Sequence, residues 1–257
     1  MSFDEGSVEG IKLSIIDPLI KNTGLDNEKY NNFRPVHNLE FFSKLIERTA
    51  TIQLEDHVER NSLNNVTAFR YKKHCNTEGL LLQLTNEVLN GFEENKCTIV
   101  LFLDLSAAFD TIDIPRLLEK LEKEIGVTGK ALAWLSSFLS GRSQKVRVDN
   151  EFSALLPVLY GVPQGSVLGP KLFGLYVNSL SDVFKNCCFK SSSFADDSNG
   201  RKTFSLTFQF SVLNLEVSRC MTEIVSWMKA NYLKSIQIKR KLCYFIPIML
   251  ILLVDYS

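Results

Sequence analysis

The chain has 257 residues, of which 45% are hydrophobic and 23% are charged, and this ordinary globular mixture excludes disorder throughout. Thirteen Gly and seven Pro are too few for a collagen-like or linker-rich chain. Because 29 basic and 29 acidic residues cancel, the net charge neither indicates nor excludes nucleic-acid binding, which a local basic channel could still provide.

Helical periodicity dominates the N-terminal part of the chain. From Leu39 to Leu63 apolar residues recur at near-helical spacing, which predicts an amphipathic helix. The apolar positions of that helix are Phe42, Leu45, Ile46, Leu54 and Val58. A second helical stretch runs from about Glu78 to Asn95.

A short apolar run follows, TIVLFL from Thr98 to Leu103, and it stops at Asp104. Its β-forming residues and polar boundaries fit a strand that is buried on both faces. An Asp at a strand end is more often a helix cap or a solvated end than a ligand. A carboxylate at the end of a buried strand is nevertheless a candidate functional group.

Two packing helices are predicted next, over Asp113 to Gly126 and Gly129 to Gly141. GVPQGSVLGP, from Gly161 to Pro170, is a turn cluster whose Ser166 could cap a helix that continues through Leu180. FADD, residues 194–197, then places two adjacent carboxylates in a turn-prone segment, preceded by FKSSS, which is less strand-like than usual.

The carboxylates of these segments suit one chemistry. Joining a nucleoside triphosphate to a 3′-hydroxyl is an in-line phosphoryl displacement, which two divalent ions can assist. Such ions prefer hard oxygen ligands, so Asp104, Asp196 and Asp197 form a natural trio. Neighbouring strand residues point to opposite faces, so we expect a hairpin turn at FADD with Asp196 as the stronger ligand.

The chain resembles the reverse transcriptase domain of non-long-terminal-repeat retrotransposons of the long interspersed, jockey-like kind. The resemblance covers roughly residues 31–234 and rests on six motifs in order. These are NNFRPVHNLEFFSKLIER (Asn31 to Arg48), AFRYKKHCNTEGLL (Ala68 to Leu81), LDLSAAFDTID (Leu103 to Asp113), GVPQGSVLGP, FADD and SWMKANYLK (Ser226 to Lys234).

The resemblance implies an α+β right-hand polymerase fold of fingers and palm, with the thumb largely missing. Residues 1–97 would form an N-terminal segment and fingers. Residues 98–234 would form the palm, with fingers elements within about 115–160. Residues 235–257 would be a divergent apolar tail, because the lysine-threonine pair that the family carries after this helix has no counterpart there.

The family's roles transfer to matching positions as expectations. Asp104, Asp196 and Asp197, with the backbone carbonyl of Leu105, would hold two Mg²⁺ ions, for which Mn²⁺ could substitute. Phe109 would exclude a 2′-hydroxyl sterically and so select deoxynucleotides. Gln164 and Gly165 would lie against the incoming nucleotide. Arg70, Lys73 and Arg34 would bind the triphosphate. Taken alone, RYKKH (Arg70 to His74) fits a solvated basic patch equally well.

The expected partners are an RNA template, a DNA primer and deoxynucleoside triphosphates. No membrane is expected, since the run from Leu242 to Val254 is shorter than the ~20 residues of a span and contains Pro247. Six scattered Cys without a C-x-x-C and an N-terminus without an apolar signal region predict an intracellular location, in cytoplasm or nucleus.

Three functions stay open at this point. The leading interpretation is RNA-directed DNA synthesis. A truncated, catalytically inactive retroelement remnant that at most binds nucleic acid is the alternative, which the aberrant tail favours. An unrelated carboxylate-metal phosphohydrolase would explain the Asp residues but not PQGS or the N-terminal motifs.

Overall fold

The computed structural model of the chain describes residues 12–63, 77–105, 108–163, 165–194, 197–205, 210–233, 241–246 and 250–255. The first half contains, in chain order, β1 (Leu13–Ile20), β2 (Phe33–Asn38), α1 (Phe41–Arg60), α2 (Thr77–Glu93), β3 (Lys96–Asp104), α3 (Ala108–Thr111) and α4 (Ile114–Lys123). The second half contains α5 (Gly129–Leu139), β4 (Arg142–Val148), β5 (Glu151–Phe152), β6 (Leu156–Val158), α6 (Gly169–Tyr176), α7 (Leu180–Asn186), β7 (Lys190–Phe194), β8 (Asp197–Ser205), α8 (Phe210–Ala230), β9 (Lys241–Ile246) and β10 (Leu250–Asp255).

The chain forms two compact units, each built from two separated stretches. The first unit comprises residues 1–63 and 109–176, and the second comprises residues 64–108 and 177–257. The assignment of fingers, palm and tail segments stays a prediction. Contacts between distant stretches define the units, and such contacts leave no mark in local sequence patterns.

The first unit is organised around a mixed sheet with the order β2-β1-β4-β5, to which β6 adds by pairing with β4. Strands β1 and β4 run parallel, with Leu13 opposite Ser143, and the other pairs are antiparallel. Asp17 and Arg147 join β1 to β4 through two hydrogen bonds of 2.8 and 2.6 Å. The hydrogen bonds and charge of Arg147 hold the pKa of the Asp17 carboxyl below its ordinary value.

Helix α1 confirms the predicted helix but not all of its predicted face. Phe42 and Leu45 are exposed, at 67% and 53%, whereas Ser43 and Glu47 on the adjoining stripe are buried together with Leu54 and Val58. The hydrophobic pattern alone misassigned the first two turns because a buried polar contact of Glu47, described below, determines which side of the helix faces inward.

The helix boundaries predicted between residues 113 and 180 are largely confirmed. Asp113 caps α4, where its carboxylate accepts a hydrogen bond of 2.8 Å from the Arg116 amide. Ser166 likewise accepts a 2.8 Å hydrogen bond from the Gly169 amide at the start of α6. The single helix expected to continue through Leu180 is wrong, because α6 ends at Tyr176 and α7 begins at Leu180.

The second unit contains an antiparallel five-stranded sheet with the order β10-β9-β3-β8-β7. Strand β3 lies at its centre, and its residues from Cys97 to Leu101 are buried, as the apolar run predicts. Helix α2 packs on β3, and α7 packs on β7 and on α8.

Two segments of the second unit are more regular than their sequences suggest. The last four residues of FKSSS lie in β7 despite the three serines, because pairing with β8 outweighs their weak strand preference. The tail supplies β9 and β10, and β9 pairs with β3, with Tyr244 opposite Ile99. Among the described residues, no helix is long and apolar enough to cross a membrane.

Gly200 in β8 permits α7 to approach the sheet closely, and this contact can be tested. A Cβ atom at Gly200 would lie 2.1 Å from Cε1 of Phe184, a residue that is 1% exposed, so the ring would have to shift within the core. We expect Gly200→Ala to lower the free energy of unfolding by about 2 kcal/mol, as overpacking commonly does. Urea denaturation followed by circular dichroism would measure this loss.

Gly174→Ala in α6 is the matched control, because nothing lies within 4 Å of its added Cβ. Since Ala favours a helix over Gly, this variant should gain about 0.5–1 kcal/mol. Equal stability of the two variants would contradict the proposed role of the Phe184 contact.

Candidate active site

Two of the three predicted catalytic aspartates lie directly opposite each other. Strands β3 and β8 are paired antiparallel over their whole length, from Lys96 opposite Ser205 to Asp104 opposite Asp197. Directly opposed residues of antiparallel strands have Cβ atoms roughly 4.5–5.5 Å apart. Asp104 is half-buried and Asp197 is exposed. The sheet therefore brings two carboxylates to one end of its central strand pair.

The hairpin expected at FADD is confirmed. Phe194, the last residue of β7, pairs with Asp197, the first residue of β8, so only two residues join the strands. These two residues, Ala195 and Asp196, lie outside the described part of the chain. The assignment of Asp196 as the stronger metal ligand stays a prediction.

The donor chemistry at this end of the sheet fits a divalent cation. Like charges on directly opposed strand positions repel each other, and a bound cation would remove that repulsion. Leu105, 4% exposed, follows Asp104 and carries the backbone carbonyl expected as a further oxygen ligand. Within the described residues, no group of three or more His, Cys, Asp and Glu side chains could hold a metal ion. The carboxylates of Asp104 and Asp197 are of the hard oxygen type that Mg²⁺ prefers, so the two residues could supply part of a ligand set.

A buried polar cluster supports the strand that carries Asp197. Arg201 in β8 is 2% exposed and forms two hydrogen bonds to the Glu87 carboxylate of α2, of 2.5 and 3.0 Å. Its Nη1 atom donates to Ser192 of β7 at 2.6 Å and to Asn199 of β8 at 3.0 Å. One guanidinium therefore connects α2, β7 and β8. No sequence signal marks this role of Arg201, because an Arg within a strand shows no periodic pattern.

In the first unit, backbone hydrogen bonds hold the residues just before PQGS against α3 and the residue that follows it. The Gly161 amide donates to the Ile112 carbonyl at 2.8 Å, and the Val162 amide donates to the Phe109 carbonyl at 3.0 Å. Gly161 has φ +82°, and a Cβ there would lie 2.8–2.9 Å from backbone atoms of Phe109 and Asp110. Only glycine allows this close backbone approach.

The predicted steric gate, Phe109, has a defined aromatic partner. Its ring stacks on Phe173 of α6 with a centroid separation of 4.1 Å and an interplanar angle of 14°. Phe173 is fully buried, whereas Phe109 is half-buried. Stacking on a buried ring restricts where the Phe109 side chain can lie, which a steric gate requires.

The other predicted nucleotide contacts are partly described. Gly165, with φ +93°, lies against β2, since a Cβ there would be 2.9 Å from the His37 carbonyl oxygen. Arg34 is exposed on the same strand. Gln164, Arg70 and Lys73 lie outside the described residues, and their roles stay predictions.

His37 is a further titratable group beside this loop, and the sequence analysis did not single it out. Its Nδ1 atom forms a 2.8 Å hydrogen bond with the Ser14 hydroxyl. Burial lowers the pKa of His37, and this effect outweighs the opposing charge of Asp110. The imidazole is therefore neutral at pH 7.

Comparison with known proteins agrees with these observations. The family described as reverse transcriptase (RNA-dependent DNA polymerase) matches residues 20–244. The probable RNA-directed DNA polymerase from transposon BS of Drosophila melanogaster is 27% identical over 84% of this chain. That from transposon X-element of the same organism is 31% identical over 72% of this chain. This chain spans 24% and 20% of the length of these two relatives.

Solved structures share the fold at low sequence identity. The telomerase from Candida tropicalis in complex with a fragment of telomeric RNA has a TM-score of 0.59 and 10% identity, over 86% of this chain and 39% of that chain. The apo telomerase from the same organism, truncated from its C-terminal domain, gives 0.57 and 12%, over 89% of this chain and 49% of that chain. The predicted α+β right-hand polymerase fold is confirmed.

The buried ion pair behind β8 generates a prediction about stability and pH. Burial raises the pKa of Glu87, but the hydrogen bonds and charge of Arg201 outweigh it, so the net shift is downward. Glu87→Gln would leave Arg201 buried without its counter-charge. We expect it to cost on the order of 2–3 kcal/mol at pH 7, at the low end for a buried pair because Glu87 is 24% exposed.

The pH dependence follows from the lowered pKa. The contribution of ionised Glu87 is present above its unfolded pKa of about 4.3 and is lost as pH falls through the lower folded pKa. The stability difference between wild type and Glu87→Gln, measured by urea denaturation, should therefore shrink below about pH 4. A constant difference from pH 7 to acid would contradict the ion pair, and exposed Glu93→Gln in α2 is the control.

Proposed function

Because this chain belongs to the reverse transcriptase (RNA-dependent DNA polymerase) family, we propose that it adds deoxynucleotides to the 3′ end of a primer paired with an RNA template. The observation that carries the proposal is the direct opposition of Asp104 and Asp197 on β3 and β8. A cation bound between them would relieve the repulsion between two like charges at this position. Curated relatives of the chain are RNA-directed DNA polymerases of retrotransposons.

Asp104 and Asp196 would hold the divalent ions, with Asp197 nearby and the carbonyl of Leu105 as an additional ligand. Mg²⁺ is the expected ion, with Mn²⁺ as a substitute. Bound ions of this kind supply positive charge to the attacking 3′-oxygen and to the leaving pyrophosphate. The chain would contribute by holding Asp104 and Asp197 on β3 and β8, two adjacent paired strands of the sheet.

Phe109, the glycine and glutamine of PQGS and three basic residues would select and bind the nucleotide. Phe109, held by Phe173, would occupy the space that a 2′-hydroxyl needs. Gly165, together with Gln164, would lie against the incoming nucleotide, where the lack of a side chain permits close approach. Arg34, Arg70 and Lys73 would neutralise the triphosphate, since guanidinium and ammonium groups are its natural partners.

The template and primer would be an RNA strand and a DNA strand. A polymerase must accept any sequence, so phosphate contacts and helix shape would provide most of the binding. The two opposed aspartates favour an active polymerase over a catalytically inactive remnant. Because the chain matches the reverse transcriptase family, an unrelated phosphohydrolase is no longer needed to explain its aspartates.

Replacement of the aspartates tests the metal assignment. Asp104→Asn and Asp196→Asn each remove one anionic ligand, so we expect at least an about thousandfold loss of synthesis with the fold intact. The measurement is extension of oligo(dT) on poly(rA) with labelled dTTP and Mg²⁺, with circular dichroism to confirm folding. Asp149→Asn, an exposed turn residue, should retain activity. Undiminished synthesis by either active-site variant would refute the assignment.

Truncation of Phe109 tests sugar selection. Phe109→Ala removes the ring, so incorporation of UTP relative to dUTP on poly(rA) should rise by about tenfold or more. The exposed Phe41, which also lies in the first unit, gives the matched control Phe41→Ala. If the ratio of ribonucleotide to deoxynucleotide use is the same in Phe109→Ala as in wild type, Phe109 is not the gate.

A further inference from the structure

Glu47 is a fully buried carboxylate whose hydrogen bonds lead to the loop that contains PQGS. It lies on α1 and is 0% exposed. It accepts hydrogen bonds from the Ser43 hydroxyl at 3.0 Å, from the Val167 amide at 2.7 Å and from the Leu168 amide at 3.2 Å. A buried carboxylate is tolerated only with such partners, so its removal would leave the two amides without their acceptor.

These amides immediately precede α6, which makes Glu47 a helix cap supplied by a distant residue. The first amides of a helix lack acceptors within the helix, and a negative charge near them is favourable. Ser166 satisfies the Gly169 amide from within the loop, and Glu47 satisfies Val167 and Leu168 from α1. Two side-chain acceptors, Glu47 and Ser166, therefore bind backbone amides at the start of α6.

A buried cation accompanies this carboxylate. Arg142, the first residue of β4, is 3% exposed, and its guanidinium donates to the Phe138 carbonyl at 3.2 Å. Burial lowers the pKa of Arg142, and the charge of Glu47 opposes that shift. Arg142 is therefore a neighbouring positive charge for Glu47, in addition to the hydrogen bonds that Glu47 accepts.

Helix α6 connects Glu47 to the predicted nucleotide contacts. Phe173, one turn into the helix, stacks on Phe109. Gly165 and Ser166 come directly before the two amides that Glu47 binds. A displacement at the start of α6 would therefore move both the support of the Phe109 ring and the loop on which Gly165 lies.

We propose that Glu47 is a positioning residue for nucleotide selection, which caps α6 and thereby holds Phe109, through Phe173, where it excludes ribonucleotides. This inference rests on the proposed polymerase function and extends it to a residue outside the nucleotide contacts. Glu47 touches neither substrate nor metal in this role. Its effect on selectivity is transmitted through packing.

Amide hydrogen exchange tests the cap without any activity. In Glu47→Ala, exchange of the Val167 and Leu168 amides should accelerate by about tenfold, which corresponds to about 1.4 kcal/mol and lies in the range for a lost helix cap. Glu47→Gln, which keeps one carbonyl acceptor, should give a smaller change. Exposed Glu59→Ala on the same helix is the matched control, and unchanged exchange in β3 of the second unit confirms folding.

A double-mutant cycle tests the link to selectivity. Glu47→Ala should raise the use of UTP relative to dUTP on poly(rA) by about fivefold, and the same change in a Phe109→Ala background should add nothing further. A purely structural role would lower the use of both nucleotides alike and leave the ratio unchanged. Independent, multiplying effects of the two variants would refute transmission through Phe109.

The two measurements separate this inference from the proposed function. Unchanged exchange at Val167 and Leu168 in Glu47→Ala overturns the inference whether or not the chain synthesises DNA. A folded wild-type chain without synthesis refutes the proposed function, and faster exchange in Glu47→Ala would then still support the cap. Faster exchange together with an unaltered nucleotide ratio overturns the role of Glu47 in selection.

Discussion

The antiparallel pairing of β3 with β8 is the constraint on which the candidate active site depends. Nine residue pairs in continuous register end with Asp104 opposite Asp197. Because side chains alternate between the faces of a strand, a shift of one residue would place these carboxylates on opposite faces of the sheet. The residues of β3 from Cys97 to Leu101 are buried, so they hold this strand at the centre of the sheet. The register of β3 with β8 then determines where the two charges lie.

In each unit, one buried ionic side chain joins neighbouring helices and strands. In the second unit, Arg201 connects β8 to α2 and β7 through Glu87 and Ser192. In the first unit, Glu47 connects α1 to the start of α6. Hydrogen bonds of this kind contribute modestly when made but are costly to break, because the remaining partner is left buried. They therefore restrict each element to one position.

The close approach of neighbouring segments at glycines is the second feature that recurs in the structure. Gly161 and Gly165 lie against other backbone segments in conformations with positive φ, and Gly200 admits the ring of Phe184 against β8. Each glycine brings a helix or loop nearer to its neighbour than a side chain would permit. The close packing of the loop around PQGS and the stacking of Phe109 on Phe173 together restrict the position of the half-buried Phe109 ring.

Local periodicity, turn residues and motif order were enough to predict several helices, the buried strand that ends at Asp104, the hairpin at FADD and the family. Contacts in the folded chain were needed to show that Glu47 rather than Phe42 faces inward, that Arg201 joins three elements, and that the serines of FKSSS and the tail lie in strands. These features arise from contacts between residues far apart in the chain, whose energies override local preference and leave no local pattern.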